Sequence, residues 1–148
     1  MTSKIGLTYT QIGLAHIEAV WPKVCPWIIQ SIGDQELWAE IDTIKEELLQ
    51  GYAVLWLVQD AKTGDVRLAL ITQSMLVNGL PTCVLKWAGG HNMKDIVFDI
   101  GLIESWAASR GFYGIQIWGR PGWKKLFAPL GYTHTYTVVS KVFNERIH

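Results

Sequence analysis

The sequence predicts a single α/β domain over residues 1–148, with a mixed central sheet flanked by helices. Two features predict this class. First, short apolar runs separated by turn residues follow one another up to residue 87, the pattern of an antiparallel meander. Second, the run at 82–87 is followed by a helix-period stretch and another apolar run at 113–118. Strand, helix, strand in this order is a βαβ unit, so these two strands should be parallel neighbours with a right-handed crossover.

The first third of the chain is predicted to be helical. Thr10 is placed to cap a helix whose faces carry Ile12, Ala15 and Ala19. Pro22 and Pro26 interrupt that pattern. Because proline suits the first turn of a helix, residues 22–30 are predicted to form a second short helix or a loop.

A clearer helix follows, with Asp34 at its N-cap and Gly51 just beyond its end. Its apolar positions recur at helical spacing and comprise Leu37, Ile41, Ile44 and Leu48. The charged residues between them lie on other faces, so one side of this helix should pack against the sheet.

The meander is predicted to contain three antiparallel strands, at 52–59, 66–75 and 82–87. Residues 62–65, Lys-Thr-Gly-Asp, form the first turn. Asn78-Gly79 is the strongest short hairpin signal in the chain, because both residue types tolerate a positive φ. We therefore expect a tight two-residue turn there.

The crossover helix of the βαβ unit is predicted over 92–110. Its apolar face comprises Met93, Ile96, Ile100, Ile103 and Ala107. Asn92 stands at the N-cap position with Asp95 three residues later, as in a capping box, and Gly111 occupies the C′ position. Gly101 lies in mid-helix, where glycine is unfavourable, so we expect a close neighbour packed against it.

The chain is predicted to end with a short helix over 123–130, closed by Gly131, and a final strand over 132–143. In that strand, threonines alternate with larger residues, a period of two with one polar face.

Composition restricts the classes of function. The 148 residues carry no net charge, from 13 basic and 13 acidic side chains, so the sequence predicts no nucleic-acid partner. Its longest apolar run is too short to cross a bilayer and its first residues lack a secretory signal, so we expect a cytoplasmic protein without a membrane partner. Cys25 and Cys83 are interpreted as reduced, buried side chains, and the histidines and cysteines lack the spacing of a metal site.

The order of elements resembles the GNAT (Gcn5-related N-acetyltransferase) superfamily. Residues 103–112 resemble the family's central helix as it leads into the fifth strand, and residues 126–132 resemble its closing helix and Leu-Gly-aromatic ending. Residues 55–58 and 119–123 are similar to short GNAT-like proteins of tailed bacteriophages. The phage resemblance implies a protein of the host cytoplasm or of the virion.

The family resemblance implies acetyl-CoA as cofactor, bound where strands 82–87 and 113–118 part, with its pyrophosphate on the amides that start the following helix. This placement of acetyl-CoA implies the following cofactor-binding residues: Lys86, Trp87, Gly89, Gly90, His91, Asn92, Met93 and Arg120. The family's loop, Arg/Gln-x-x-Gly-x-Gly/Ala, fits two registers. If Lys86 leads it, Gly89 matches and His91 takes the small-residue position. Counted back from Gly111, it falls on 91–96, which contains no glycine.

The catalytic groups of the family are poorly matched. Strand 82–87 contains no carboxylate, and Phe127 stands where many members have a tyrosine that protonates the leaving thiolate. His91 is the catalytic candidate, since a neutral imidazole can act as a base, although a loop histidine that faces solvent is the alternative. Arg120 is placed either to reach a phosphate or an acidic group of a partner, or to stack on a neighbouring tryptophan.

Two hypotheses for function therefore remain. One is an N-acetyltransferase with a relaxed site, which transfers an acetyl group from acetyl-CoA to an amine substrate. The other is a catalytically inactive phage protein of this fold that acts by binding a protein partner or by self-association, as a virion or assembly component.

Overall fold

The computed structural model describes residues 1–32, 40–119, 121–141 and 143. Five strands and four α-helices follow one another along this part of the chain. They are β1 (Leu7–Gln11), α1 (Ile17–Ile32), α2 (Ile41–Leu49), β2 (Ala53–Asp60), β3 (Val66–Val77), β4 (Leu80–Gly90), α3 (Asp95–Ser109), β5 (Gly114–Ile117) and α4 (Pro121–Phe127). Single 3-10 turns lie at Leu14–His16 and Ala128–Leu130.

The described strands form one mixed sheet in the order β1-β2-β3-β4-β5. The first four strands are antiparallel to their neighbours, whereas β4 and β5 are parallel and are joined by α3. The predicted βαβ unit and meander are therefore confirmed. The β3–β4 turn is as tight as predicted, because Val77 pairs with Leu80 across Asn78 at φ 50° and Gly79 at φ 80°.

The sheet separates two apolar clusters. One lies under α3 and α4 and includes Trp56, Leu70, Ile100 and Phe127. The other lies under α1 and α2 and includes Trp21, Ile28, Leu48 and Ile71. Because the residues of a strand alternate between the two faces, each central strand contributes to both clusters.

The helix predicted to begin at Thr10 is wrong, since Thr10 lies within β1 instead. Leu7 and Tyr9 are buried and alternate with more exposed neighbours, the period of a strand. Pairing with β2 then satisfies the backbone groups of this segment. The alternation was present in the sequence, but it covers only five residues.

The two prolines do not interrupt α1. Pro22 and Pro26 are exposed, whereas Ile17, Trp21, Val24 and Ile28 are buried along the opposite face. Each proline costs the helix one hydrogen bond, but the carbonyl groups left over lie on the solvated side. Apolar burial on the other side holds the helix together.

The predicted helix at Asp34 is confirmed only in its second half. Asp34 and Leu37 lie outside the described residues, and α2 begins at Ile41. Its buried side chains Ile44 and Leu48 belong to the predicted stripe.

The predicted capping box of α3 is wrong. The N-cap is Lys94, without a side-chain hydrogen bond, and Asn92 has a φ of 55°. A residue in this left-handed conformation cannot act as an extended N-cap. At the other end, Gly111 has the positive φ of 84° that a C′ glycine adopts.

Among the described residues, the expected neighbour of Gly101 is also absent. A Cβ placed there would meet no described atom of another element within 4 Å, and the residue is exposed. Gly101→Ala should therefore stabilise the protein by about 0.5–1 kcal/mol, since alanine loses less backbone entropy on folding. Urea unfolding measures this, and an unchanged or lower unfolding free energy would show that α3 is constrained at this point.

The predicted final strand is not formed among the described residues from Tyr132 to Lys141. These residues pair with no described strand, and nearly all of them are exposed, including Val138 and Val139. Alternation alone does not make a strand, because the backbone groups also need a partner.

None of the helices in the described residues is both long enough and apolar enough to span a membrane.

Candidate active site at the fork of the two parallel strands

The parallel pair β4–β5 opens into a fork. The last residues in register are Leu85 and Ile117, and the Trp118 amide still donates to the Leu85 carbonyl at 3.0 Å. Beyond this point β4 continues to Gly90, whereas β5 has ended. The sequence predicted this parting of the strands.

A bulge in β4 marks the point where the fork begins. Ile71 of β3 pairs with Trp87 and the next residue, Thr72, pairs with Leu85, so Lys86 is the extra residue of β4. A bulge twists a strand and turns the following backbone groups, which here helps β4 to leave β5.

The edge of β4 inside the fork presents backbone groups without a strand partner among the described residues. The His91 amide donates to the Arg67 carbonyl of β3 at 2.8 Å, so His91 faces β3. Because successive residues of a strand alternate in direction, Gly89 and Trp87 face β3 as well, while Ala88 and Gly90 face the fork. An extended ligand can pair with those two residues as an added strand would.

The two glycines predicted to bind the cofactor, Gly89 and Gly90, lie in β4 and not in the loop that follows it. Gly89 pairs with Ala69, and a Cβ there would overlap the backbone carbonyl of Trp27 in α1. Gly90 has a φ of 130°, and a Cβ there would overlap the Arg67 carbonyl. Both glycines therefore permit close backbone packing, Gly89 against α1 and Gly90 against β3.

The loop between β4 and α3 consists of residues 91–94. These four positions contain no glycine. The amides of Asp95, Ile96 and Val97 already donate to the carbonyls of the loop. Within the described part of the chain, the amides of Asn92, Met93 and Lys94 donate to no backbone oxygen, which leaves three donors at the start of α3.

His91 lies at the mouth of the fork and is exposed, with its ring edge-on to Trp27 at a centroid distance of 5.7 Å. The ring is thus held on the α1 side of the sheet. Trp87 packs into the apolar cluster on that same side, and Met93 packs against the cluster on the α3 side.

A buried hydrogen bond ties the first half of α3 to the far edge of the sheet. The Tyr9 hydroxyl donates to Oδ2 of Asp99 at 2.7 Å, and both residues are almost fully buried. Since α3 carries the loop amides at its N-terminus, this bond helps to fix their position. No local sequence pattern predicts this bond, because the two residues are 90 positions apart.

Tyr9 also makes stability depend on pH. Burial, followed by the neighbouring Asp99 carboxylate, raises the pKa of Tyr9 far above its ordinary value of 10.0. The unfolded chain ionises this tyrosine near its ordinary value and the folded chain does not, so its contribution is complete below about pH 10 and is lost above it.

Tyr9→Phe should therefore lower the unfolding free energy by about 1–3 kcal/mol near neutral pH, since Asp99 loses its buried partner. Between about pH 8 and about pH 11, the variant should lose less stability than the wild type. Urea unfolding at both pH values checks this, with the exposed Tyr52→Phe as control. A pH dependence equal to that of the wild type would contradict the prediction.

Phe127, where the family resemblance implied that many members have a tyrosine, is buried between two aromatic rings. Its ring centroid lies 5.4 Å from that of Trp123 and 5.2 Å from that of Tyr132. The Tyr132 hydroxyl is engaged elsewhere, because it donates to Oε2 of Glu104 at 3.0 Å. Burial, then the Glu104 carboxylate, raises the pKa of Tyr132. Neither ring supplies an acidic hydroxyl at the fork.

A cavity of about 150 Å³ lies at the opposite end of β5, where α3 ends. Its lining includes Glu104, Ala107, Phe112 and Ile115. This cavity shares no lining residue with the fork, and no sequence pattern predicted it.

Arg120, the remaining predicted cofactor-binding residue, lies outside the described residues. Among the residues that the structure does describe, no group of three or more His, Cys, Asp or Glu side chains could hold a metal ion.

Comparisons with known proteins agree at the level of structure. No family model matches the sequence, and no curated protein matches it. Among solved structures, a ribosomal-protein-alanine N-acetyltransferase from Brucella melitensis biovar Abortus 2308 superposes with a TM-score of 0.65 at 13% identity, covering 93% of this chain and 99% of that one.

Two further structures that were solved with ligands are similar. An aminoglycoside N-acetyltransferase in complex with CoA gives a TM-score of 0.64 at 16% identity, with 95% of each chain covered. A predicted acetyltransferase with acetyl-CoA from Clostridium acetobutylicum gives 0.64 at 8% identity, covering 92% of this chain and 96% of that one. At these identities the likeness concerns the fold, and the chain has the GNAT acetyltransferase fold that the sequence predicted.

Proposed function

We propose that the protein is an acetyl-CoA-dependent N-acetyltransferase that acts on a small amine. The observation that carries this proposal is the fork itself. The edge of β4 at Ala88 and Gly90, which pairs with no described strand, leads directly to three amides at the start of α3 that donate to no described backbone oxygen. One extended ligand with an anionic end fits both features.

Acetyl-CoA has that composition. Its pantetheine arm is extended and carries two amide groups, which can pair with Ala88 and Gly90 along the strand edge. Its pyrophosphate can accept hydrogen bonds from the amides of Asn92, Met93 and Lys94, where the α3 dipole also favours negative charge. The acetyl thioester then lies near Lys86, at the base of the fork.

The chemistry needs little from side chains. The nitrogen of a neutral amine attacks the thioester carbonyl carbon, a C–N bond forms, and the C–S bond breaks as CoA leaves as a thiolate. A backbone amide at the fork edge can stabilise the oxyanion that forms in between. The amine proton passes to water or to the His91 imidazole, and water protonates the thiolate because Phe127 has no hydroxyl. Positioning then supplies most of the acceleration.

One observation favours the alternative, an inactive protein of this fold that works by binding. The loop at 91–94 carries side chains at every position, and Asp95 places a carboxylate in the first turn of α3. That carboxylate competes with a phosphate for the same amides. In this alternative, the phage-like protein would act in a virion or in its assembly, in contact with a protein partner.

Two measurements on the purified protein separate these functions. An N-acetyltransferase should show a higher melting temperature with acetyl-CoA, because a ligand that binds the folded state stabilises it, and it should release CoA thiol when amines are added. ATP serves as the control nucleotide. An unchanged melting curve with millimolar acetyl-CoA, together with no thiol release from any amine, would overturn the proposal.

A further inference from the structure

A polar cluster lies at the base of the fork, on the α1/α2 side of the sheet. It consists of Lys86, Gln73, Gln116 and Trp118. Gln73 pairs with Ala53, which belongs to the apolar cluster under α1 and α2. Val84 of β4 pairs with Gln73 on one side and with Gln116 on the other. Side chains of directly paired residues share a face, so both glutamines point to this side.

Contacts within the cluster hold the Lys86 ammonium in place. Its Nζ donates to Oε1 of Gln73 at 3.2 Å and lies 5.9 Å from the centroid of the Trp118 ring. The Trp118 indole N–H in turn donates to Oε1 of Gln116 at 3.0 Å. The side chain is partly buried, and among the described residues no carboxylate forms an ion pair with it.

The cluster presents donors and few acceptors. An ammonium and an indole N–H can only donate, so the oxygen of each glutamine must face them. Both glutamine NH₂ groups are then directed elsewhere, and within the described part of the chain neither donates to a protein atom. The ammonium thus has no carboxylate partner among the described residues, and together with the two amide donors it offers the hydrogen-bond donors that a carboxylate accepts.

The side of the sheet on which the cluster lies indicates what that anion belongs to. In the proposed function, the cofactor phosphates lie at the start of α3, while the acetyl thioester lies between the strands, beside Lys86. An acceptor that approaches the thioester from the α1/α2 side therefore passes over Lys86 and Trp118 before its amine reaches the carbonyl carbon.

We infer that Lys86, together with Gln73 and Gln116, binds a carboxylate of the acceptor, which makes the acceptor a small amine that carries a carboxylate. The inference rests on the proposed function and deepens it. A polyamine is disfavoured, because its additional ammonium groups would meet Lys86 directly. Trp118, a residue that is 42% exposed, offers its ring to the carbon skeleton of such an acceptor.

Matched amines test this. Glycine and glycinamide differ only in the carboxylate, and glycylglycine and its amide extend the same comparison to peptides. The rate of CoA thiol release gives kcat/KM for each amine. The amides are intrinsically more nucleophilic at neutral pH, so the acid and the amide are not compared directly. Instead, the ratio of kcat/KM for the acid to kcat/KM for the amide is compared between the variants and the wild type. The variants are Lys86→Met and, as control, Lys62→Met in the exposed β2–β3 turn.

Lys86→Met should lower the acid-to-amide ratio by about ten- to a hundredfold, the size of a lost charge-assisted hydrogen bond. The kcat/KM for the acids should fall far more than the kcat/KM for the amides, whereas Lys62→Met should keep the acid-to-amide ratio of the wild type. A preference for the free amino acid over the dipeptide would identify the source of the carboxylate as a free amino acid, and the reverse as a peptide end; both support the inference.

Two results would overturn the inference while leaving the proposed function intact. One is acetyl transfer with the same acid-to-amide ratio in Lys86→Met and in the wild type. The other is an equal fall of kcat/KM for acids and amides in Lys86→Met, together with weaker binding of acetyl-CoA. That result would assign Lys86 to cofactor binding. Absence of acetyl-CoA binding and of transfer to every amine is a distinct result, in which the proposed function itself fails and the inference with it.

Discussion

Gly89→Val should lower the free energy of unfolding by about 3 kcal/mol or more, because overpacking against a rigid neighbour falls at the upper end of single-substitution effects. At Gly89, the Cβ of any other residue would overlap the Trp27 carbonyl and approach the neighbouring atoms of the α1 backbone. Backbone of a packed helix cannot rotate away as a side chain would, so α1 must move off β4.

Urea unfolding of Gly89→Val measures the loss, and Gly101→Ala provides the matched control. Both variants add a side chain to a glycine of a regular element, but at Gly101 no described atom outside the helix lies within 4 Å of the added Cβ. The two substitutions should therefore change stability in opposite directions. A Gly89→Val protein as stable as the wild type would mean that α1 does not pack on β4 as described.

The same glycine shows how far the sequence determined the site. Gly89 was assigned to the cofactor loop because it matches the glycine of the family's loop when Lys86 leads that motif. In the structure, Gly89 lies within β4, where it pairs with Ala69 before the loop begins. The residue type was informative, but its neighbour is α1, some 60 positions earlier in the sequence, and only the tertiary fold brings them together.

The βαβ unit was predictable because its signals are local. The apolar period of α3, the C′ glycine at 111 and the Asn78-Gly79 turn each depend on a few consecutive residues. The bulge at Lys86 was not predictable, because it depends on the register between β3 and β4. The strand β1 was missed for a similar reason, since a five-residue alternation becomes a strand only when β2 pairs with it.

Side-chain roles depended even more on tertiary contacts. Phe127 was expected to lack a proton to give, and the structure adds that its ring is buried between Trp123 and Tyr132. The bond between Tyr9 and Asp99 and the glutamine-bound ammonium of Lys86 join residues from different elements. Neither has a sequence pattern.

Ala88→Pro should weaken the binding of acetyl-CoA by about tenfold or more, because proline removes a backbone donor and places its ring at the edge where the ligand pairs. Ala88 faces the fork, since its neighbours Trp87 and Gly89 face β3. The β3–β4 ladder therefore loses no hydrogen bond, which is the condition under which a strand tolerates proline. Isothermal titration with acetyl-CoA measures the loss.

Ala88→Ser is the matched control, because it changes the same side chain and keeps the backbone N–H. It should bind acetyl-CoA as the wild type does, and the circular dichroism spectra of both variants should match that of the wild type. If Ala88→Pro folds normally and binds acetyl-CoA with unchanged affinity, the ligand does not pair with this edge of β4. The cofactor would then have to be held by the amides of residues 92–94, and the fork would no longer support the proposed function.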